Sequence, residues 1–126
     1  MNNFLLDTNI LLWYFGDSNQ VASVRELIES DATEIFYSPV SLWEIATKIR
    51  NGKLDLNLDD LYDHAQKYDF TELPLTSDCL KAYLQLPHIH KDPFDHMLLA
   101  QALTFPMRLI TGDSLLADYS SLVMVI

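Results

Sequence analysis

The chain has 126 residues, 49% of them hydrophobic, which suits one compact globular domain, 1–126, with a full core. Its 18 acidic and 8 basic residues leave a formal charge of −10, which argues against non-specific coating of nucleic acid, because affinity for polyanions comes from Lys and Arg. No apolar run approaches the ~18 residues that span a bilayer, Met1-Asn2-Asn3 lacks a basic leader, and Cys79 is alone, so the expectations are no membrane segment, no disulfide framework and a cytoplasmic setting.

In chain order, Phe4-Leu5-Leu6 reads as a short buried strand followed by helical signals through Tyr14. Val21, Val24, Leu27 and Ile28 recur at helical spacing, so residues 21–28 are expected to form a helix. Residues 34–37 form a second strand, closed by Ser38-Pro39, and a helix follows over about 41–49 with Asn51-Gly52 as its stop. Residues 58–68 read as helix, 71–73 as a strand-sized piece, and 76–86 as helix again. Asp92-Pro93 is a helix start, with Asp as N-cap and Pro at the first position, and that helix runs to about residue 103. Residues 108–111 are a strand, 114–119 a short helix and 122–126 a last strand. Short apolar strands alternating with helices predict an α/β fold with a mainly parallel sheet covered on both faces.

Four stretches of this pattern place a carboxylate where a strand ends or a helix begins: Leu5-Leu6-Asp7-Thr8-Asn9, Ser41-Leu42-Trp43-Glu44, Asp92-Pro93-Phe94-Asp95 and Ile110-Thr111-Gly112-Asp113. In such sheets ligands bind beyond the carboxyl ends of the strands, so Asp7, Glu44, Asp95 and Asp113 are expected to converge on one rim. Clustered carboxylates repel one another unless a hard cation lies among them. Each acid has an ordinary reading too. Asp7 caps a helix, Glu44 pairs with Lys48 four residues on, Asp95 complements a helix dipole, and Asp113 is a turn acid. Those readings do not explain why all four fall on one edge.

The segments LLDTN, SLWEIATKIRNGKL, TELPLTSDCLKAYLQLP, HKDPFDHMLLAQAL and LITGD, in this order and spacing, resemble the PIN-domain toxins of bacterial toxin–antitoxin pairs, the VapC-like ribonucleases. The resemblance runs from Asn3 to about Leu122. It implies a PIN-domain three-layer α/β/α sandwich and a metal-dependent endoribonuclease site in which Asp7, Glu44, Asp95 and Asp113 are the catalytic, metal-holding acids. Thr8, Asn9 and Thr111 fall at supporting positions, and Asp92 at the helix cap. It also implies Mg²⁺ or Mn²⁺ as cofactor, RNA as substrate, an antitoxin protein as partner and a homodimer. Carboxylate oxygens and water suit such cations.

One position departs from the family pattern: the residue after the DPFD turn is commonly Arg, and here it is His96. If that Arg helps hold phosphate or the neighbouring acid, His96 would supply only a partial charge near neutral pH. Lys48, Arg50, Lys53 and Lys91 are the candidate RNA contacts, each with the alternative of a solvated charge. His88, His90, Asp92 and His96 lie close in sequence but lack the helical pair of zinc enzymes. Trp13, Tyr14 and Trp43, near the first two acids in sequence, are candidate anchors for an antitoxin tail. Rival readings are a DNA nuclease with the same acids, or a PIN-like module that binds without cutting.

Overall fold

The computed structural model describes residues 2–88 and 92–126. Five strands form one sheet: β1 (Asn3–Leu6), β2 (Glu34–Tyr37), β3 (Thr71–Glu72), β4 (Arg108–Thr111) and β5 (Val123–Val125). Their order is β3-β2-β1-β4-β5, and every pairing is parallel. The chain winds outward from β1 through β2 to β3, then returns to lay β4 on the other side of β1. The switch point of the topology is therefore the crevice between β1 and β4, where α/β sheets place ligands.

Six helices cover the sheet: α1 (Thr8–Phe15), α2 (Arg25–Glu29), α3 (Pro39–Arg50), α4 (Leu58–Lys67), α5 (Ser77–Gln85) and α6 (Pro93–Thr104). Alternation along the strands divides the interior in two. Phe4 and Leu6 of β1 and Ile110 of β4 pack with α1, α2 and α4 through Ile10, Tyr14, Ile28 and Leu61. Leu5 and Leu109 face the other way, against Leu98, Leu99 and Ala102 of α6. This is a three-layer α/β/α sandwich, as expected. Helix α6 buries Leu98, Leu99, Ala100, Gln101 and Ala102 in succession, so it is a central helix rather than an amphipathic cover.

Two expectations need correction. Residues 21–28 are not one helix: a 3-10 turn at Asn19–Val21 precedes the five-residue α2, and Val24 gives that helix no side-chain cap. Ser38-Pro39 does more than close β2. Ser38 caps α3 and Pro39 is its first residue, so the helix begins two residues before Ser41 and Glu44 lies in its second turn. The segment 114–119 is a 3-10 helix, Ser114–Asp118. The acidic stretch on α4 is a solvated face, with Asp59, Asp60 and Asp63 exposed and Leu61 and Ala65 buried.

Leu109 lies on the inner sheet face with no solvent exposure. Leu109→Ala is expected to cost about 2–5 kcal/mol in urea unfolding, because deleting a buried branched side chain leaves a cavity between sheet and α6.

Candidate active site

Asp7 follows the last residue of β1 and caps α1. Its Oδ1 accepts from the Ile10 N–H at 2.9 Å, and its Oδ2 accepts from the Thr111 hydroxyl of β4. The Thr111 oxygen in turn accepts from the Asp113 N–H at 3.0 Å. One hydroxyl at the switch point thus fixes the first acid and the backbone of the fourth. Asp113 also caps its 3-10 helix, accepting from the Leu115 N–H at 3.0 Å. Asp7 thus caps a helix, as its ordinary reading expects, and Asp113 caps a 3-10 helix at the turn it occupies.

Gly112 separates Thr111 from Asp113, and a Cβ there would lie 3.1 Å from the Trp13 ring. Trp13 is therefore a half-buried seat for the turn that carries Asp113.

Glu44 is buried rather than solvated on its helix. Its Oε2 pairs with Lys48 Nζ at 3.2 Å, the anticipated i,i+4 pair. Its Oε1 is buried and has no hydrogen-bond partner among the described residues. A buried acceptor left unsatisfied costs about 1–3 kcal/mol. Asp95 is in the first turn of α6, and Asp92 is the cap, accepting from the Phe94 and Asp95 N–H groups.

Burial and neighbouring charges act on two of the acids. Burial raises the Asp7 carboxyl above the usual range, the Thr111 and Ile10 donors oppose that, and Glu44 and Asp113 raise it further. Asp95 is pushed up to about 8, first by burial and then by the charges of Asp92, Asp7, Glu44 and Asp113. Four acids from four separate elements thus lie within electrostatic reach at the carboxyl edge of the sheet. Among the described residues, no three Asp, Glu, His or Cys side chains stand close enough to hold a metal ion as they are.

Every donor the cluster offers is a carboxylate oxygen, one of them buried and unpartnered. That set fits a hard divalent cation such as Mg²⁺ or Mn²⁺, which side-chain adjustment would have to close upon.

The remaining expected residues divide. Thr8 is buried and donates to Ser41 Oγ at 3.0 Å, tying α1 to α3. Asn9 is exposed, and among the described residues no hydrogen bond joins it to Asp7. Lys48 reaches the cluster through Glu44. Arg50 is exposed on the last turn of α3, lining a shallow cavity with Asn57 and Asp59, and Lys53 is exposed in the following turn. Lys91 and His90 lie outside the described residues. His96 is not a charge presented to substrate: it is 8% exposed, with Nε2 2.8 Å from the Tyr119 hydroxyl. Tyr14 is no surface anchor either, being buried and bonded to Glu29. Trp43 is 65% exposed, resting against Phe94 at 5.0 Å between ring centres.

A family model of the PIN domain matches residues 4–122. The chain belongs to the PIN domain family. PIN domains are in general nucleases. Comparison with curated protein sequences finds no significant match. Among solved structures, the VapBC2 complex of Rickettsia felis, bound to a DNA fragment from its promoter, is similar with a TM-score of 0.71 at 12% identity, covering 98% of this chain and 97% of that one. FitAcB of Neisseria gonorrhoeae is similar with a TM-score of 0.61 at 18% identity, covering 96% of each chain. At such identities the likeness is one of fold. No helix among the described residues is long and apolar enough to cross a membrane.

Proposed function

We propose that this PIN domain is a metal-dependent endoribonuclease and the toxin of a toxin–antitoxin pair. The observation that carries the nuclease reading is the buried Asp7 and half-buried Asp95 at the carboxyl edge of the sheet, with Glu44 and Asp113 near enough for their charges to help hold both carboxyls above the usual range. These four residues would hold Mg²⁺ or Mn²⁺. Such a cation, when bound, supplies an activated water and neutralises charge developing on the scissile phosphate.

The chain's own contributions are orientation and proton handling. Ile10 N–H and Thr111 Oγ1 fix both oxygens of Asp7, so its carboxylate is set before anything binds. Lys48 holds Glu44 and presents an ammonium at the rim, 42% exposed, where a phosphate could meet it. Arg50 and Lys53 extend that basic run along α3 and its following turn. Asp95, pushed up to about 8, carries its proton near neutral pH in the metal-free protein and gives it up when a cation takes its place.

RNA as substrate rests on the family resemblance, since the hydrolytic acids do not themselves select a 2′-hydroxyl. The test is cleavage of total cellular RNA, and of DNA of matched sequence, with Mg²⁺ and with chelator. Metal-dependent cuts in RNA support the reading. Cuts confined to DNA, or none in either, overturn it.

The antitoxin reading is supported by the two structural relatives, both of which pair a PIN-like fold with a second protein. It also has an electrostatic logic. A chain of charge −10 with an acid cluster at its rim favours a basic tail, and an Arg fork pairs two carboxylate oxygens at once. Beside the acids, Trp43, Leu75 and Leu80 are exposed around an apolar cavity of about 330 Å³ that also includes Phe94 and Met97, so Trp43 is the anchor retained. Leu84 of α5 is 79% exposed, and the homodimer is proposed to form on that helix. Expressed alone, the protein is expected to arrest growth, and co-expression of the adjacent small open reading frame to restore it. Harmless expression with no neighbouring product binding would sink the toxin reading while leaving the nuclease reading intact.

A further inference from the structure

Mutually repelling acids on four separate elements will drift apart unless neutral contacts tie those elements together. Among the described residues, four such ties stand between acid-bearing elements. Thr111 links β1 to β4, joining Asp7 to the backbone of Asp113. Thr8 and Ser41 link α1 to α3, the helices that begin at Asp7 and carry Glu44. Ser38, the cap of α3, donates to Gln101 of α6, the helix of Asp95, and Gln101 also donates to the Leu73 and Pro74 carbonyls at 3.1 Å. The fourth tie is His96–Tyr119. His96 follows Asp95 on α6, and Tyr119 ends the 3-10 helix that Asp113 begins. The four ties close a ring: β1 to β4, its 3-10 helix to α6, α6 to α3, and α3 back to α1.

We propose that His96 and Tyr119 are a positioning pair, whose hydrogen bond holds the helix carrying Asp95 against the segment carrying Asp113 so that both acids are set for one cation. The inference rests on the metal-nuclease reading above. Leu116 of the 3-10 helix already packs with Leu98 and Leu99 of α6, but that apolar contact fixes no direction; the His96–Tyr119 bond adds a directional tie between Asp95's element and Asp113's. The position gains weight from its chemistry. A buried imidazole facing a phenol at 2.8 Å, with the Tyr83 ring 6.3 Å away, is directional where an apolar filler would not be.

The experiment uses the full chain and Mn²⁺ alone as probe, titrated by calorimetry, beside thermal melting without metal and RNA cleavage at graded Mn²⁺. Partners that orient metal-holding side chains typically change affinity 10–100-fold. Tyr119→Phe is expected to weaken Mn²⁺ binding about tenfold, with metal-free melting close to wild type and cleavage largely restored at saturating Mn²⁺. His96→Leu should match it. His96→Gln, whose amide reaches about as far as Nε2, should stay near wild type. The double variant His96→Leu/Tyr119→Phe should be no worse than either single, because both remove one bond.

Wild-type Mn²⁺ affinity in Tyr119→Phe overturns the pair's role. So does a Tyr119→Phe protein that fails to fold, or a His96→Gln protein as weak as His96→Leu. Failure of the underlying reading looks different: wild type itself would bind no Mn²⁺, or Asp7→Asn would bind it unchanged.

Discussion

Asp7→Asn is expected to abolish RNA cleavage, lowering the rate by on the order of a thousandfold or more, while the protein stays folded. A metal acting on a phosphoryl oxygen supplies several kcal/mol of transition-state stabilisation, and each 1.36 kcal/mol is a factor of ten. Asp7 is the acid at the centre of the sheet edge, 4% exposed, with both oxygens already oriented. The amide keeps the shape and the oxygen that caps α1. Its NH₂ faces Thr111, whose hydroxyl must give up its own donation to Asp7 Oδ2, a loss of about 1 kcal/mol. Against that, a carboxyl that burial and two neighbouring charges hold above its usual range is replaced by a neutral group. The two effects oppose each other, so the metal-free melting temperature should change little. Cleavage at the wild-type rate by a folded Asp7→Asn protein would refute the assignment of this residue.

The parallel sheet was legible because its strands are short apolar runs. Leu5, Leu6, Leu109 and Ile110 are fully buried on both faces, so no alternation blurs them. The stretch 21–28 was misread for an instructive reason. Val21, Val24 and Ile28 are all buried, so the periodicity reported the correct inward residues even though the backbone breaks between a 3-10 turn and α2. Tyr14 carried the opposite lesson: it stands four residues after the buried Ile10, and that spacing places it in the core rather than on a docking surface.

As candidates, Asp7, Asp95 and Asp113 stood out because each lies where a strand ends or a helix begins, whereas Glu44 lies in the second turn of α3. What sequence could not supply was which neutral residues meet across the chain. Ser38 and Gln101 are 63 positions apart, Thr8 and Ser41 are 33 apart, and His96 and Tyr119 are 23 apart. Local propensity has no access to such pairs. Gln101 did leave one signal, an amide within the otherwise apolar run Leu98-Leu99-Ala100-Gln101-Ala102. A polar group placed there must be buried and therefore bonded. At the position where the family commonly has Arg, His96 turns inward to Tyr119, a contact that sequence did not announce.

Thermal stability should depend jointly on metal and pH, through Asp95. Its ordinary pKa of 3.8 is raised to about 8 in the folded protein by burial and by Asp92, Asp7, Glu44 and Asp113. For an acid so shifted, the folded state holds the proton more tightly than the unfolded chain does. The destabilising contribution is therefore absent below about pH 4, grows as pH rises, and is complete above about pH 8. Metal-free Asp95→Asn should accordingly melt higher than wild type above pH 8, with the gap closing as pH falls toward 5. Cation binding reverses the ranking, because it requires the ionised carboxylate and releases the proton. At one hundred times its dissociation constant, Mn²⁺ should stabilise wild type by about 2.7 kcal/mol, roughly 10 °C for a domain of this size. The shift should shrink as pH falls below 8, where the cation must displace a proton, and should be smaller at every pH in Asp95→Asn. On the proposed reading Glu44 would add to the same linkage, since a bound cation would give its buried Oε1 a partner. A wild-type melting temperature indifferent to millimolar Mn²⁺ at pH 8 would remove the metal site. A shift equal in wild type and Asp95→Asn would leave the site and take Asp95 out of it.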